Sequence, residues 1–223
     1  MNSKNEFIKA FQENVSRPGA EELLKYLESS SFFTDPASAN HHLCVEGGLC
    51  EHSVHVYKRL SELIEQRRNE YLTKHSRLPE ALSKAFSNES VAIVSLLHDL
   101  CKAGTYKSEI KNRKTYDPAT VMKADPYWVK CDAGGDYIWE SFPGYRWDDQ
   151  FPYGHGEKSV YLIQKHMALT DEEAFAIRFH MSSWQENDSK ASISKVYETN
   201  ALAFLLHIAD EFATFIDETE KVN

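Results

Sequence analysis

Residues 91–101 read VAIVSLLHDLC, and the interpretation of the whole chain turns on this stretch. It is the most apolar run in the first half of the sequence, and toward its end an imidazole and a carboxylate stand side by side, His98 and Asp99. With Ser87 or Asn88 as its cap, the run predicts a buried helix over about 89–103. Ionisable groups on a buried segment are costly unless something pairs them. A divalent cation pairs both, because neutral imidazole and carboxylate are each good ligands. A solvated helix end carrying an accidental His-Asp dipeptide explains these two residues equally well, so the rest of the chain must decide.

Outward from this stretch the apolar spacing is helical almost throughout. Upstream, a helix of about 49–71 carries Val56, Leu60 and Leu63 on one face, with His52 on the same stripe. Before it, residues 3–15 place Phe7, Ile8, Phe11 and Val15 at helical spacing, and Arg17-Pro18-Gly19 breaks the run. A short helix over 20–28 leads into an ordered loop from Ser29 to Gly48, and Pro79 starts a minor helix. Downstream, helices are expected over about 156–168 and 171–181, the second opened by a Thr170–Glu173 capping box. A polar loop over 182–193 and a last long helix over about 194–218 follow. Between the two halves, residues 104–154 hold most of the Gly and Pro, alternating aromatic residues and a Gly134-Gly135 hairpin signal. The expected fold class is all-α: one domain over 1–223, interrupted by a small β-containing insertion at 104–154.

Bulk composition narrows the function. A chain of 223 residues with 42% hydrophobic and 26% charged residues matches an ordinary soluble globular protein. No apolar run approaches the ~20 residues of a membrane span, and the first twenty residues lack a signal peptide's apolar stretch, so a cytoplasmic protein is expected. Cys44, Cys50, Cys101 and Cys131 form no CxxC pair and are expected to be reduced, mostly buried thiols. A net charge of −9 argues against a broad basic face gripping long nucleic acid. It leaves room for a small anionic substrate, since bound metal ions supply positive charge locally.

Four more ionisable residues share the setting of His98 and Asp99. His52, His155, His180 and Asp210 each sit in or at the start of a predicted helix beside apolar partners. One such histidine is usually a satisfied core residue; several, with two aspartates on separate helices, point to chemistry.

Taken in order, GGLCEHSVHV, LLHDLCK, GHGEKSV, IRFHM and HIADEF give H…HD…H…H…D. This ordered set resembles the two-metal members of the HD-domain superfamily of metal-dependent phosphohydrolases, over roughly residues 30–218 apart from the insertion. HHLCVEGGLCEHS with LLHDLCK is also similar to the HD domain of bacterial 3′-to-5′ exoribonucleases. Those enzymes carry an OB-fold ahead of it, which the first thirty residues here do not provide, so long RNA is not the expected substrate. The resemblance implies an HD-domain helical bundle with two divalent ions, of Mn, Fe, Co, Ni, Mg or Zn. His52, His98, Asp99 and Asp210 would hold one, and His155 and His180 the other, with Asp99 bridging. It further implies hydrolysis of a small phosphate-containing substrate (a nucleotide, cyclic dinucleotide or short oligonucleotide) by a metal-bridging hydroxide. Lys102 matches the lysine of the family's HDxxK pattern, as a phosphate contact or proton donor beside Asp99; a cation favouring a helix C-terminus is the plainer account.

His42, with His41, is a candidate to reach the site from the loop. Glu51, Glu157 and Lys158 flank the candidate ligands and are expected to support them. His55, His75, His166 and His207 match no position of the pattern. In the insertion, Lys107, Trp139 and Trp147 are candidate substrate contacts, as parts of a lid that stacks on bases and pairs with phosphates. The competing account is that the insertion's aromatic residues pack on the helical body. Two further functions fit the same ligand order: a di-iron oxygenase similar to inositol oxygenase, and a nucleotide-sensing module without turnover.

Overall fold

Phe7 and Phe11, one helical turn apart, are buried on the inner face of α1 (Ser3–Asn14). That pattern of apolar residues at helical spacing repeats along the computed structural model, which describes residues 2–184 and 189–219. After α1 come α2 (Ala20–Ser29), α3 (Gly48–Lys74), α4 (Glu80–Ala85) and α5 (Asn88–Leu97). The second half contributes α7 (His155–Gln164), α8 (Asp171–Phe179), α9 (Lys190–Thr199) and α10 (Ala201–Phe212), which runs on into a π-helical turn, Ala213–Asp217. Among the described residues, no helix is long and apolar enough to cross a membrane.

The central element is α5. Every residue from Ser90 to Leu97 is buried, because the helix is packed by α1, α3 and α8. It stops at Leu97, short of the end expected from its sequence, and a 3-10 turn follows over Leu100–Lys102. The cause is tertiary: the Cys101 amide donates to Ser159 Oγ of α7 at 3.0 Å. His98 therefore caps the helix, and Asp99, at φ −100° and ψ 17°, turns the chain.

The expected last helix also divides. Asn200 closes α9 and caps α10, its Oδ1 accepting from the Ala203 amide at 3.1 Å. Its Nδ2 donates to the Glu172 carbonyl at 2.9 Å, tying this break to α8. Lys190–Thr199 thus takes up the end of what was expected to be a polar loop, and residues 185–188 of that loop lie outside the described set.

Residues 104–154 form an exposed antiparallel sheet in the order β1-β3-β2, with the short helix α6 (Pro118–Lys123) between β1 and β2. Strand β1 (Tyr106–Thr115) pairs along its length with β3 (Gly135–Trp147), from Tyr106 opposite Trp147 to Thr115 opposite Ile138. The hairpin marked by Gly134-Gly135 joins β3 to the short β2 (Lys130–Asp132). The architecture is mostly helical with a small β insertion.

One buried ion pair locks the two halves together. Arg17 donates to both oxygens of Glu173, at 2.7 and 2.8 Å, and reaches Glu89 at 3.1 Å. The Glu173 side chain is fully buried, and its carboxylate also caps α8 and accepts from Ser90 Oγ. Arg17→Ala would leave that carboxylate buried without a cation. Stability should fall by about 3–5 kcal/mol, read as a lower urea midpoint with an unchanged slope.

Candidate metal centre

The structure brings six candidate ligands from five elements to one buried point. His52 comes from α3, His98 and Asp99 from the end of α5, His155 from the start of α7, His180 from the end of α8, and Asp210 from α10. His52, His98, Asp99 and His180 are buried, while His155 and Asp210 keep a small exposed edge. Asp99 is the shared member: Oδ1 faces His155 Nε2 at 2.6 Å and His180 Nε2 at 3.5 Å. Its Oδ2 faces His98 Nε2 at 3.5 Å and His52 Nε2 at 3.7 Å. Asp210 Oδ1 lies 3.1 Å from His52 Nε2 and 4.0 Å from His98 Nε2.

The rings are oriented from behind. His98 Nδ1 donates to the Ser95 carbonyl at 2.8 Å, and His180 Nδ1 to the Ile177 carbonyl at 2.7 Å. His52 Nδ1 lies 3.0 Å from the Glu218 carboxylate, whereas the Cys101 thiol lies beside the His155 ring, 3.3 Å from Nδ1 and 3.5 Å from Nε2. A carbonyl or carboxylate partner fixes the proton on Nδ1 and leaves Nε2 as a lone-pair donor. In consequence, Nε2 of His52 and of His98 stand only 3.3 Å apart. His180 Nε2 is buried with no hydrogen-bond partner among the described residues. Such a concentration of electron-pair donors is satisfied by a cation.

Electrostatics point the same way. Burial works against charge on His52, yet its hydrogen bonds to Asp210 and Glu218 outweigh that and raise it to about 10. A positive charge is therefore favoured between these carboxylates. Burial lowers His98 to about 4 and also lowers His155, which favours the neutral, lone-pair-bearing form of both rings. Burial alone would raise Asp99 and Asp210, but Lys102 and the neighbouring histidines keep Asp99 below the usual carboxylate range, and His52 chiefly does so for Asp210. His52–His98–Asp210, His98–Asp99–His180 and Asp99–Cys101–His155 each keep their ligand atoms within 4.8 Å of one another, close enough to hold a metal ion.

The centre opens on a cavity of about 1110 Å³ whose walls include Asn40 to Val45, Lys102, Trp184, Phe215 and Glu218. Lys102 is not on the helix of His98; the 3-10 turn carries it over Asp99, 2.7 Å from Oδ2. His42 stands at the wall with its ring 5.0 Å from that of His52. The loop bearing it is seated hard on the start of α3, where a Cβ on Gly48 would come within 2.1 Å of the Leu43 carbonyl.

Among the described residues, Lys107, Trp139 and Trp147 do not line this cavity. Lys107 pairs with Asp148, Trp147 packs edge-on against Tyr106, and both tryptophans stay half-exposed on the sheet. The insertion braces the cavity wall instead of covering the centre. Tyr106 Oη donates to the Ala37 carbonyl at 3.0 Å, and Lys111 Nζ to the Ala39 carbonyl at 2.9 Å. Two other expected supports also lie elsewhere: Lys158 binds Asp149, and Glu157 pairs with Arg178, while Glu51 does line the cavity. Of the cysteines, Cys50 and Cys101 are buried, Cys44 is half-buried and Cys131 exposed.

Sequence reasoning passed over Glu218, and gave no role to His55, whose Nδ1 lies 2.9 Å from Glu218. It passed over His207 as well, whose Nδ1 donates to the His180 carbonyl at 2.8 Å. His55 falls one turn after His52 on α3, a spacing that does place both on one face. No family model matches the sequence, and comparisons with curated proteins and with solved structures give no match.

Proposed function

We propose that this chain is a metal-dependent phosphohydrolase of the HD type, cleaving a phosphate ester in a small nucleotide-like substrate. The observation that carries the reading is the meeting of His52, His98, Asp99, His155, His180 and Asp210, with the rings of His52, His98 and His180 held from behind at Nδ1. His52, His98, Asp99 and Asp210 would hold one divalent cation, and His155, His180 and the shared Asp99 a second. Such ions lower the pKa of a water molecule and offset charge on a phosphoryl group under attack. Lys102, kept protonated by Asp99 against the cost of burial, is placed at the cavity wall to bind a phosphate oxygen or give a proton to the leaving group.

The cavity walls support a substrate of modest charge. Trp184 and Phe215, both largely exposed, offer flat apolar surface for a base. Glu51 and Glu211 also line the cavity, as does Asp217, whose charge Arg59 offsets; Lys102 is its one ammonium group among the described residues. Repulsion from Glu51 and Glu211 disfavours a polyphosphate.

The test is to strip the protein with a chelator, reload it with manganese, cobalt or nickel, and measure phosphate release. Nucleoside monophosphates, dinucleotides, aryl phosphates and nucleoside triphosphates form the panel. Metal-dependent release is expected, with kcat/KM for triphosphates at least about tenfold lower, from about 1.4 kcal/mol of charge repulsion. Oxygen uptake by the iron-loaded protein without phosphate release would instead establish an oxygenase.

A further inference from the structure

Glu218 follows the π-helical turn that ends α10, and no motif in the sequence marks it. Its side chain is fully buried. Both oxygens face His52 Nδ1, at 3.0 and 3.1 Å, and Oε1 also faces His55 Nδ1 at 2.9 Å. The neighbouring Asp217 accepts from Arg59 Nε at 2.7 Å, so the segment after α10 is fastened to α3 at two successive positions.

Two imidazole nitrogens, His52 Nδ1 and His55 Nδ1, converge on the Glu218 carboxyl within 2.9–3.1 Å. The group behind His52 is thus a carboxyl placed to accept from both rings. Behind an imidazole, a carboxylate fixes the tautomer, stops the ring turning and makes the far nitrogen a better donor. His98 and His180 have neutral backbone carbonyls in that place, and His155 has only a thiol beside its ring, near both nitrogens. Among the four, His52 alone has a charged anchor.

We infer that Glu218 is the positioning residue of the metal centre, holding the proton on His52 Nδ1 and committing Nε2 to the cation shared with His98 and Asp210. The inference rests on the metal centre proposed above. It makes the segment after α10 part of the site, although it supplies none of the six ligands. His55 is the second clamp, keeping the Glu218 carboxylate from swinging into the cavity. His42 Nε2 lies 3.8 Å from Glu218 Oε2 without a hydrogen-bond partner among the described residues, and His42, His52 and Glu218 keep ligand atoms within 4.8 Å, so the experiment must tell positioning from direct ligation by Glu218.

The test compares wild type with Glu218→Gln, which keeps an acceptor oxygen but no charge, and Glu218→Leu, which keeps neither. Cobalt affinity is measured by competition with a chromogenic chelator, ion content at saturation by mass spectrometry, and folding by far-UV circular dichroism without metal. At saturation all three proteins should hold the same number of ions. One ion should bind about 10–100-fold more weakly in Glu218→Leu and only severalfold more weakly in Glu218→Gln, with the other ion unaffected. Should Glu218→Leu fail to fold, the graded loss in Glu218→Gln still decides the matter. Unchanged affinity in the folded variants overturns the inference, as does loss of one whole ion at saturation, which would make Glu218 a ligand itself. A wild type that takes up no cobalt overturns the metal centre, and the inference with it.

Discussion

Asp99→Ala should empty the site of both ions and bring phosphate release to the background rate. Asp99 is the carboxylate that faces both halves of the centre, with Oδ1 toward His155 and His180 and Oδ2 toward His98 and His52. Losing His155 would leave the other half intact; losing Asp99 takes the shared carboxylate from both halves, leaving, among the candidate ligands, Asp210 as the one anionic ligand of the first half and none in the second. The same substitution has a second consequence that must be separated from the first. Lys102 Nζ lies 2.7 Å from Asp99 Oδ2 and is largely buried, so Asp99→Ala strands an ammonium group and should cost about 3–5 kcal/mol of stability. Adding Lys102→Met removes the stranded charge and should return most of that stability without returning any metal. Urea midpoints and ion content measured on the single and double variants resolve the two effects. An Asp99→Ala protein that keeps both ions and turns over substrate would sink the mechanism.

The parts of this site visible in the sequence are those set by local pattern. The apolar run before His98 demanded a buried helix, and Ser90 to Leu97 are all buried. His52 falls on the stripe of Val56 and Leu60, and all three are buried together. Contacts between distant residues were not visible. The end of α5 is set by Ser159, fifty-eight residues away, capturing the Cys101 amide. The break before α10 depends on Asn200 reaching the Glu172 carbonyl. Glu218 meets His52 only because α10 lies along α3.

The insertion shows why composition misleads about function. Tyrosines, tryptophans and lysines near a site suit a substrate lid, yet Tyr106 and Lys111 bind the backbone carbonyls of Ala37 and Ala39. Every residue has such a carbonyl, so no side-chain pattern announces the partner. The wall that these contacts hold in place carries His42, so the insertion bears on the centre through the loop it braces.

Gly156→Ala should cost the protein one ion of the two. A Cβ at this position would lie 2.4 Å from the Arg178 carbonyl oxygen and 2.7 Å from that of Ile177. Both are backbone atoms, so relief requires α7 and α8 to move apart. The Ile177 carbonyl is also the group that holds His180 Nδ1, and Gly156 adjoins His155 in the chain. One methyl group therefore presses on the supports of both histidines proposed for the second ion, whose rings lie 5.3 Å apart. His52, His98 and Asp210 come from α3, α5 and α10 and stand outside this contact. Overpacking of this kind costs about 1–3 kcal/mol, and this site stands at the upper end because neither carbonyl can rotate away. The expected protein is folded with a lowered melting temperature, holds one ion at saturation, and has lost phosphate release. Two ions bound with wild-type affinity in Gly156→Ala would mean that His155 and His180 do not share an ion across the α7–α8 contact.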